Sequence, residues 1–242
     1  MRCPSPNELP PPPRGCRGWP WDPQGPPCPD APPGGGDWPL ISIVTPSLNQ
    51  ARYVEQTLRS VLLQGYPNLQ YLVIDGGSTD GTVEILRRYA SHLSFWTSQP
   101  DRGQSDAINR GLARCTGELF NWLNSDDLLL PGALRTVAEA YLAAPGRVVA
   151  GALHYLSDDG REDYVLPSAK LTLESFLRWR KARGEGYVFN QPATFLPLRH
   201  VKAAGGVRED LSLVMDHFLM IELLQRCEVT YTPAVLARFR LH

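Results

Sequence analysis

From about residue 38 onward, apolar residues fall into two alternating spacings. Runs of largely apolar, β-branched type occupy 40–44, 69–74 and 118–123, with a shorter one at 94–98. A strand covered on both faces has this texture, because neither of its sides meets water. Between the runs the spacing lengthens. Val54, Leu58, Val61 and Leu62 recur at three and four residues, which predicts a helix over 51–64 capped by Asn49 and stopped by Gly65 and Pro67. A second helix opens at Asp80 or Gly81 and carries Val83, Leu86 and Tyr89; a third covers 104–114. A fourth starts behind Pro131, a residue suited to the first helical turn, and runs to about 144. Further strands are expected at 148–155 and 187–196, and helices at 172–182 and 213–226. Alternating strands and helices give an α/β fold whose parallel sheet is covered on both faces. The pattern holds no internal repeat and no second core, so 39–242 reads as one domain.

Residues 1–38 break the pattern. Pro10–Pro13 and Gly34–Gly36 are unbroken runs, and such a segment buries too little apolar surface to offset its ordering entropy. An extended arm is expected, poorly ordered or docked. Trp19 and Trp21 stand out, since aromatic residues in a polar arm dock either on the protein itself or on a partner.

Composition narrows the function class. The chain of 242 residues is 43% hydrophobic with a net charge of −1, which gives no electrostatic footprint for nucleic acid. No apolar run reaches the ~18 residues of a membrane span, and no basic-then-apolar leader opens the chain; a cytoplasmic protein is expected, with peripheral contact to a membrane-bound acceptor left open. The five cysteines match no zinc or redox spacing and are expected to be free thiols. Arg178, Arg180, Lys181 and Arg183 form a solvated helix face or an anion-binding patch.

The candidate chemistry lies in three acidic clusters. Asp75 ends a strand and precedes Gly76-Gly77, so it either meets a ligand beyond the strand's carboxyl end or merely shapes the turn; Asp80 reads as a helix cap. Asn124-Ser125-Asp126-Asp127 follows another strand, and hard oxygen donors in a short turn suit Mg²⁺ or Mn²⁺ carrying a diphosphate; a helix cap is the alternative. Asp216 sits among Val214, Met215, Phe218 and Leu219. It is either a general base whose pKa is raised by apolar surroundings or a helix N-cap. Arg238, Arg240 and His242 alternate, as residues on one strand face would, and either meet a diphosphate or line a solvated edge.

Five stretches in order extend this picture: 43–49 (IVTPSLN), 75–82 (DGGSTDGT), 100–111 (PDRGQSDAINRG), 122–127 (WLNSDD) and Met215-Asp216. Together they resemble a bacterial family 2 glycosyltransferase. The resemblance implies a GT-A fold, a Rossmann-like α/β/α sandwich with a mostly parallel central sheet. It also implies an inverting transfer from a nucleotide-diphosphate sugar, of UDP or dTDP type, to a glycan or lipid-linked acceptor in cell-surface glycan synthesis. In those terms Thr45, Pro46 and Asn49 belong to the nucleotide site and Asp75 holds the base. Asp126 is the last acid of the family's Asp-x-Asp signature, whose first position is here the neutral Asn124. Asp127 assists the Mn²⁺ or Mg²⁺, Arg240 contacts the diphosphate and His242 adds a metal ligand. Asp216 is the catalytic base, with Met215 where the family usually has Glu. Gln191 is a candidate acceptor contact. Two other functions remain in view: a binding module of the same fold without turnover, and a sugar-phosphate nucleotidyltransferase. The latter would carry a Gly-rich basic loop that is missing after the first strand.

Overall fold

A computed structural model describes residues 1–169, 171–177, 189–211 and 213–241. β1 (Ile41–Ser47) lies between β2 (Leu69–Asp75) and β4 (Leu119–Trp122), parallel to both, and β3 (Phe95–Ser98) pairs parallel with β2. All seven β1 residues are buried, as a central strand without a wet face requires. Its alternate residues feed two cores. Ile41 and Ile43 pack with α1 (Val54–Leu62), α2 (Thr82–Tyr89) and α4 (Ala133–Ala143). Val44 packs with α3 (Gln104–Leu112), α6 (Leu198–Ala203) and α7 (Met215–Leu224). The result is a sheet between two helical layers. α3 comes close because Gly111 has no side chain: a Cβ there would lie 2.5 Å from Val44 Cγ1.

Beyond β4 the sheet changes character. β8 (Thr194–Pro197) is antiparallel to β4, and β6 (Val148–Ser157) is antiparallel to β8. β9 (Val229–Leu241) runs parallel to β6, while β5 (Leu128–Leu129) and β7 (Asp163–Leu166) add antiparallel to β9 and β6. The sheet is therefore parallel in its first half and mixed in its second. Apolar spacing carries no information about strand direction, so elements of the second half such as β6 and α7 are legible but its mixed pairing is not. β9 escaped notice because Val229–Thr232 alternate apolar and polar only briefly before Pro233, which lacks a ladder N–H. The β6–β9 register shifts at that point, between Ala150 and Leu153.

The expected strand at 187–196 is shorter, its described part being a 3-10 turn over Gln191–Ala193 followed by β8. The expected helix at 172–182 has α5 (Leu173–Leu177) as its described part. Arg178, Arg180, Lys181, Arg183 and His242 lie outside the described residues. Asn49 does not cap α1, which starts at Val54 without a side-chain cap. It adopts a left-handed conformation (φ 53°) and joins two loops, its N–H donating to Ser78 Oγ (2.7 Å) and its Oδ1 accepting from Thr79 N (2.9 Å). Among the described residues, no helix is long and apolar enough to cross a membrane.

Residues 1–38 fold back over α1. Cys3, Leu9, Cys28 and Trp38 enter the α1-side core. The segment is held largely through its backbone. Met1 donates to Leu69 O, and Cys3 N to Tyr66 O. Arg59 on α1, only 2% exposed, gives its guanidinium to Pro10 O (2.8 Å), Pro20 O (3.2 Å), Trp21 O (3.0 Å) and the Tyr89 hydroxyl (3.2 Å). Its charge also lies over the Trp21 ring. Prolines supply carbonyls without competing N–H groups, so a Pro-rich chain suits a buried arginine. Burial pushes the Cys3 thiol up to about 12, leaving it protonated and unreactive at neutral pH. Replacing Arg59 with Leu strands three backbone acceptors. The expected loss is about 3 kcal/mol of stability, measured by urea unfolding, with the arm becoming the first site of protease cleavage.

Candidate active site

The loops after β1, β2, β3 and β4 gather at the carboxyl ends of the parallel strands, and β1 and β4 straddle the point where strand order reverses. A cavity of about 290 Å³ opens there. Its walls are Pro46, Ser47, Leu48 and Gln50 from the first loop, Asp101 to Ala107 around the start of α3, and Asn124 to Asp126 after β4. A second cavity of about 280 Å³ adjoins it, and both are lined by Gln104 and Asn124. Gln104 Nε2 donates to Asn124 Oδ1 at 2.7 Å, so the partition between the two is a single hydrogen-bonded amide pair. Asp216 and Gln191 stand in the second cavity among Trp122, Tyr155, Phe189 and Phe239.

The structure sorts the acids. Asp126 faces the first cavity and Asp216 the second. Asp75 does not reach either one. It is fully buried, and its carboxylate accepts from Gly77 N, Ser78 N, Ser78 Oγ and Ser98 Oγ at 2.5–3.1 Å. The short Gly-Gly turn folds its own donors onto the carboxylate. Thr45 is likewise buried, bonded to the Tyr71 hydroxyl, and the cavity wall starts one residue later at Pro46.

Asp127 lies deeper than Asp126. It is 1% exposed and lines none of the cavities described here. Oδ1 accepts from Arg240 N at 3.2 Å, and Oδ2 has no protein partner among the described residues. Burial, and then the neighbouring Asp126 carboxylate, push its pKa well above the usual range. Asn124, Ser125 and Asp126 of the turn line the cleft, and Asp127 turns into the interior. Arg240 sits behind the acidic turn. Its Nε donates to Asp126 O (3.2 Å), its outer nitrogens reach Asp158 and Gln56, and the guanidinium lies over Tyr53. With Trp19, Arg238 and Asp126 it lines a third cavity of about 160 Å³. Asp126 is thus common to this small cavity and the main cleft.

Asp216 is not enclosed by its apolar neighbours. It occupies the first turn of α7, about a quarter of the side chain is exposed, and Oδ1 accepts from His217 N at 2.8 Å. Gln191 Nε2 donates to Trp122 O (2.8 Å), which fixes that side of the cavity.

Sequence reasoning missed Ser47, Asp101 and Gln104. Ser47 is 5% exposed, with a hydroxyl that has no protein partner among the described residues and a place on the cavity wall. Asp101 presses so close to Gly76 that a Cβ there would lie 2.7 Å from its Oδ2. Both lay inside quoted motifs; only the fold says which motif residues face the cleft.

No group of three or more His, Cys, Asp or Glu is placed to hold a metal among the described residues. On the β4 side of the cleft the oxygen ligands are the Asp126 carboxylate and the Asn124 amide oxygen, and the Asp101 carboxylate stands on the opposite wall. Such a sparse hard-oxygen set fits Mg²⁺ or Mn²⁺ held by one or two protein groups and completed by phosphate oxygens.

Comparison with known proteins now bears on these loops. The model of "Glycosyl transferase family 2" matches residues 42–201. The chain belongs to this family. It is 29% identical over 207 residues to an uncharacterized glycosyltransferase of Mycobacterium tuberculosis, covering 83% of this chain and 75% of that one. TuaG of Bacillus subtilis, named for teichuronic acid biosynthesis, is 37% identical over 94 residues, 37% of this chain and 36% of that protein. Among solved structures, S. aureus TarS 1-349 in complex with UDP-GlcNAc superposes with a TM-score of 0.68 at 17% identity, covering 84% of this chain and 59% of that one. The mannosyltransferase PcManGT from Pyrobaculum calidifontis, in complex with GDP-Man and Mn²⁺, gives 0.59 at 22% identity, covering 84% and 57%. The chain thus spans under two thirds of these solved chains, and the likeness establishes the GT-A fold.

Two measurements probe the local architecture of the family 2 site. Asp75→Ala should cost about 3 kcal/mol in urea unfolding, because its buried donors lose their acceptor. Asp106 on α3 is held below the ordinary aspartate value of 3.8, first by its hydrogen bond from Arg102 and, against the effect of burial, by the Arg110 charge as well. A depressed carboxylate contributes stability above its unfolded pKa and loses it as pH falls through the folded value. The stability gap between wild type and Asp106→Asn should therefore be full at pH 6 and close progressively below 3.8.

Proposed function

We propose that the protein is a metal-dependent inverting glycosyltransferase that moves a sugar from a nucleoside diphosphate to an acceptor hydroxyl in cell-surface glycan synthesis. One observation supports this reading most: Asp126 and Asp216 face two adjoining cavities whose only named partition is the Gln104–Asn124 pair. A donor laid across that partition puts its diphosphate beside Asp126 and its sugar towards Asp216. The complexes of TarS with UDP-GlcNAc and of PcManGT with GDP-Man and Mn²⁺ agree with a nucleotide-sugar donor and a divalent cation. TuaG favours a cell-wall glycan as product.

The chemistry follows from these positions. Asp126, with Asn124 beside it, would hold Mn²⁺ or Mg²⁺, which offsets charge developing on the departing diphosphate. Ser47, Gln50 and Asp101 line the nucleotide side. Asp216 has Oδ1 engaged by His217 N, which leaves Oδ2 to take the proton of the acceptor hydroxyl. The acceptor oxygen then bonds to the anomeric carbon as the bond to the diphosphate oxygen breaks. Attack from the face opposite the diphosphate inverts the configuration. Trp122, Phe189, Tyr155 and Phe239 exclude water from this half of the cleft. Gln191 is placed to touch the acceptor. Peripheral contact with a membrane would bring a lipid-linked acceptor within reach.

A binding module without turnover is the second reading. It is favoured by Asn124, a neutral group already bonded to Gln104 where a second acid would strengthen cation binding. The decisive comparison uses two variants, with nucleotide binding followed calorimetrically and sugar transfer by product release. Asp216→Asn should leave Mn²⁺-dependent UDP or GDP binding within about twofold while lowering turnover roughly 10²–10⁴-fold. Asp126→Ala should abolish the metal dependence of nucleotide binding. Equal loss of binding and turnover in Asp216→Asn would end its assignment as the base.

A further inference from the structure

The family match begins at residue 42, so the folded-back arm lies outside the matched residues. It nonetheless reaches the acidic turn. The Trp19 indole Nε1 donates to Leu129 O at 2.8 Å, two residues beyond Asp127. Trp19 also lines the small cavity behind the turn together with Asp126 and Arg240. The geometry points to the arm as a working part of the transferase: Trp19, seated by Arg59, is a positioning residue that holds the 126–130 segment so that Asp126 meets the cation and diphosphate. The inference rests on the metal reading of Asp126 given above.

The segment is fixed one polar contact at a time. Thr57 Oγ1 donates to Asp127 O (2.8 Å), Leu129 N donates to Ser60 Oγ (3.1 Å), and Gln64 Nε2 donates to Leu130 O (3.0 Å). Thr57 and Ser60 belong to α1, and Gln64 to the turn directly after it. Leu130 N is taken by Leu236 O on β9, and Asp126 O by Arg240 Nε. Leu129 O receives the Trp19 indole, a bond that comes from outside the matched residues. Arg59 holds Pro20 O and Trp21 O, the carbonyls directly after Trp19, so the indole's donor is aimed by a buried charge instead of by a free chain end. α1 thus grips the acidic segment and the arm together. β5 is only two residues long and, among the described residues, pairs with β9 alone, so its position depends on the sum of these side-chain contacts. A turn held within a few tenths of an ångström of a productive position is what cation-assisted transfer needs.

The test compares Trp19→Phe with Trp38→Phe in the full chain. Both remove an indole bond to a backbone carbonyl at 2.8 Å, but the Trp38 acceptor is Pro29 O, within the arm. Amide hydrogen exchange of the 124–131 segment and calorimetric binding of UDP and GDP with and without Mn²⁺ are the readouts. Trp19→Phe should accelerate exchange at 127–130 roughly tenfold, the scale of one lost hydrogen bond. It should also weaken Mn²⁺-dependent nucleotide binding several-fold and leave the metal-free component unchanged. Trp38→Phe should do neither. Unchanged exchange in Trp19→Phe, or equal loosening by Trp38→Phe, overturns the inference even if the wild type binds nucleotide with Mn²⁺. A loosened turn in a protein whose wild type shows no Mn²⁺-dependent binding instead ends the metal reading of Asp126 and keeps the arm's hold on the turn.

Discussion

Helix α1 and the turn that follows it bury an arginine, a threonine, a serine and a glutamine where carbon would pack more cheaply. Each has a partner in a neighbouring backbone: Arg59 in the arm, Thr57, Ser60 and Gln64 in the segment after the acidic turn. A buried donor left without an acceptor is costly, so these contacts must form together or not at all. That condition couples the Pro-rich arm, the helix and the acidic turn, and the cleft inherits its shape from them. The same helix feeds Val54, Leu58, Val61 and Leu62 into the core against β1. A single nine-residue element thereby ties the hydrophobic interior to the chemistry at the sheet's edge.

Within the cleft, the division of labour among the acids follows from their surroundings. Asp75 is consumed by four donors of its own turn and of Ser98, which makes it a fastening for the loop after β2. Asp127 is buried behind the turn, where its carboxylate meets the backbone of β9. Asp126 and Asp216 face the two cavities. Asp75, saturated by protein donors, holds a loop, and Asp126 and Asp216 line the cavities where a ligand would meet them. The β9 strand serves both sides, with Phe239 in the aromatic cavity and Arg238 and Arg240 behind the turn, as alternation along a strand requires.

The resemblance in the sequence pointed to the right motifs but not always to the residues in them that face the cleft. Pro46, Asn124, Asp126 and Asp216 line the cavities. Thr45, Asp75 and Asp127 are one residue or one turn away from doing so, and Ser47, Asp101 and Gln104 stand there instead. Along a strand the side chains alternate sides, so neighbouring residues of one motif meet different surroundings. Asn49 illustrates the same limit: its helix-cap chemistry is real, yet the bonds it makes join two loops, since a side chain that accepts from a local N–H will do so from whichever backbone the fold brings near.

Local patterning determined the first half of the sheet, the helices that flank it and the loops that carry chemistry, because burial on both faces of a strand and on one face of a helix leaves its mark residue by residue. The tertiary structure decided what no local pattern encodes. It set the antiparallel turn of the second half, brought β9 against the acidic turn, and placed Asp216 beside a cavity that shares its wall with that of Asp126. It also turned a segment of prolines and glycines into a packed strap around a buried arginine. In each case the reason is the same: strand direction, chain reversal and the partner of a buried polar group depend on residues far apart in the chain, and their energies exist only once those residues meet.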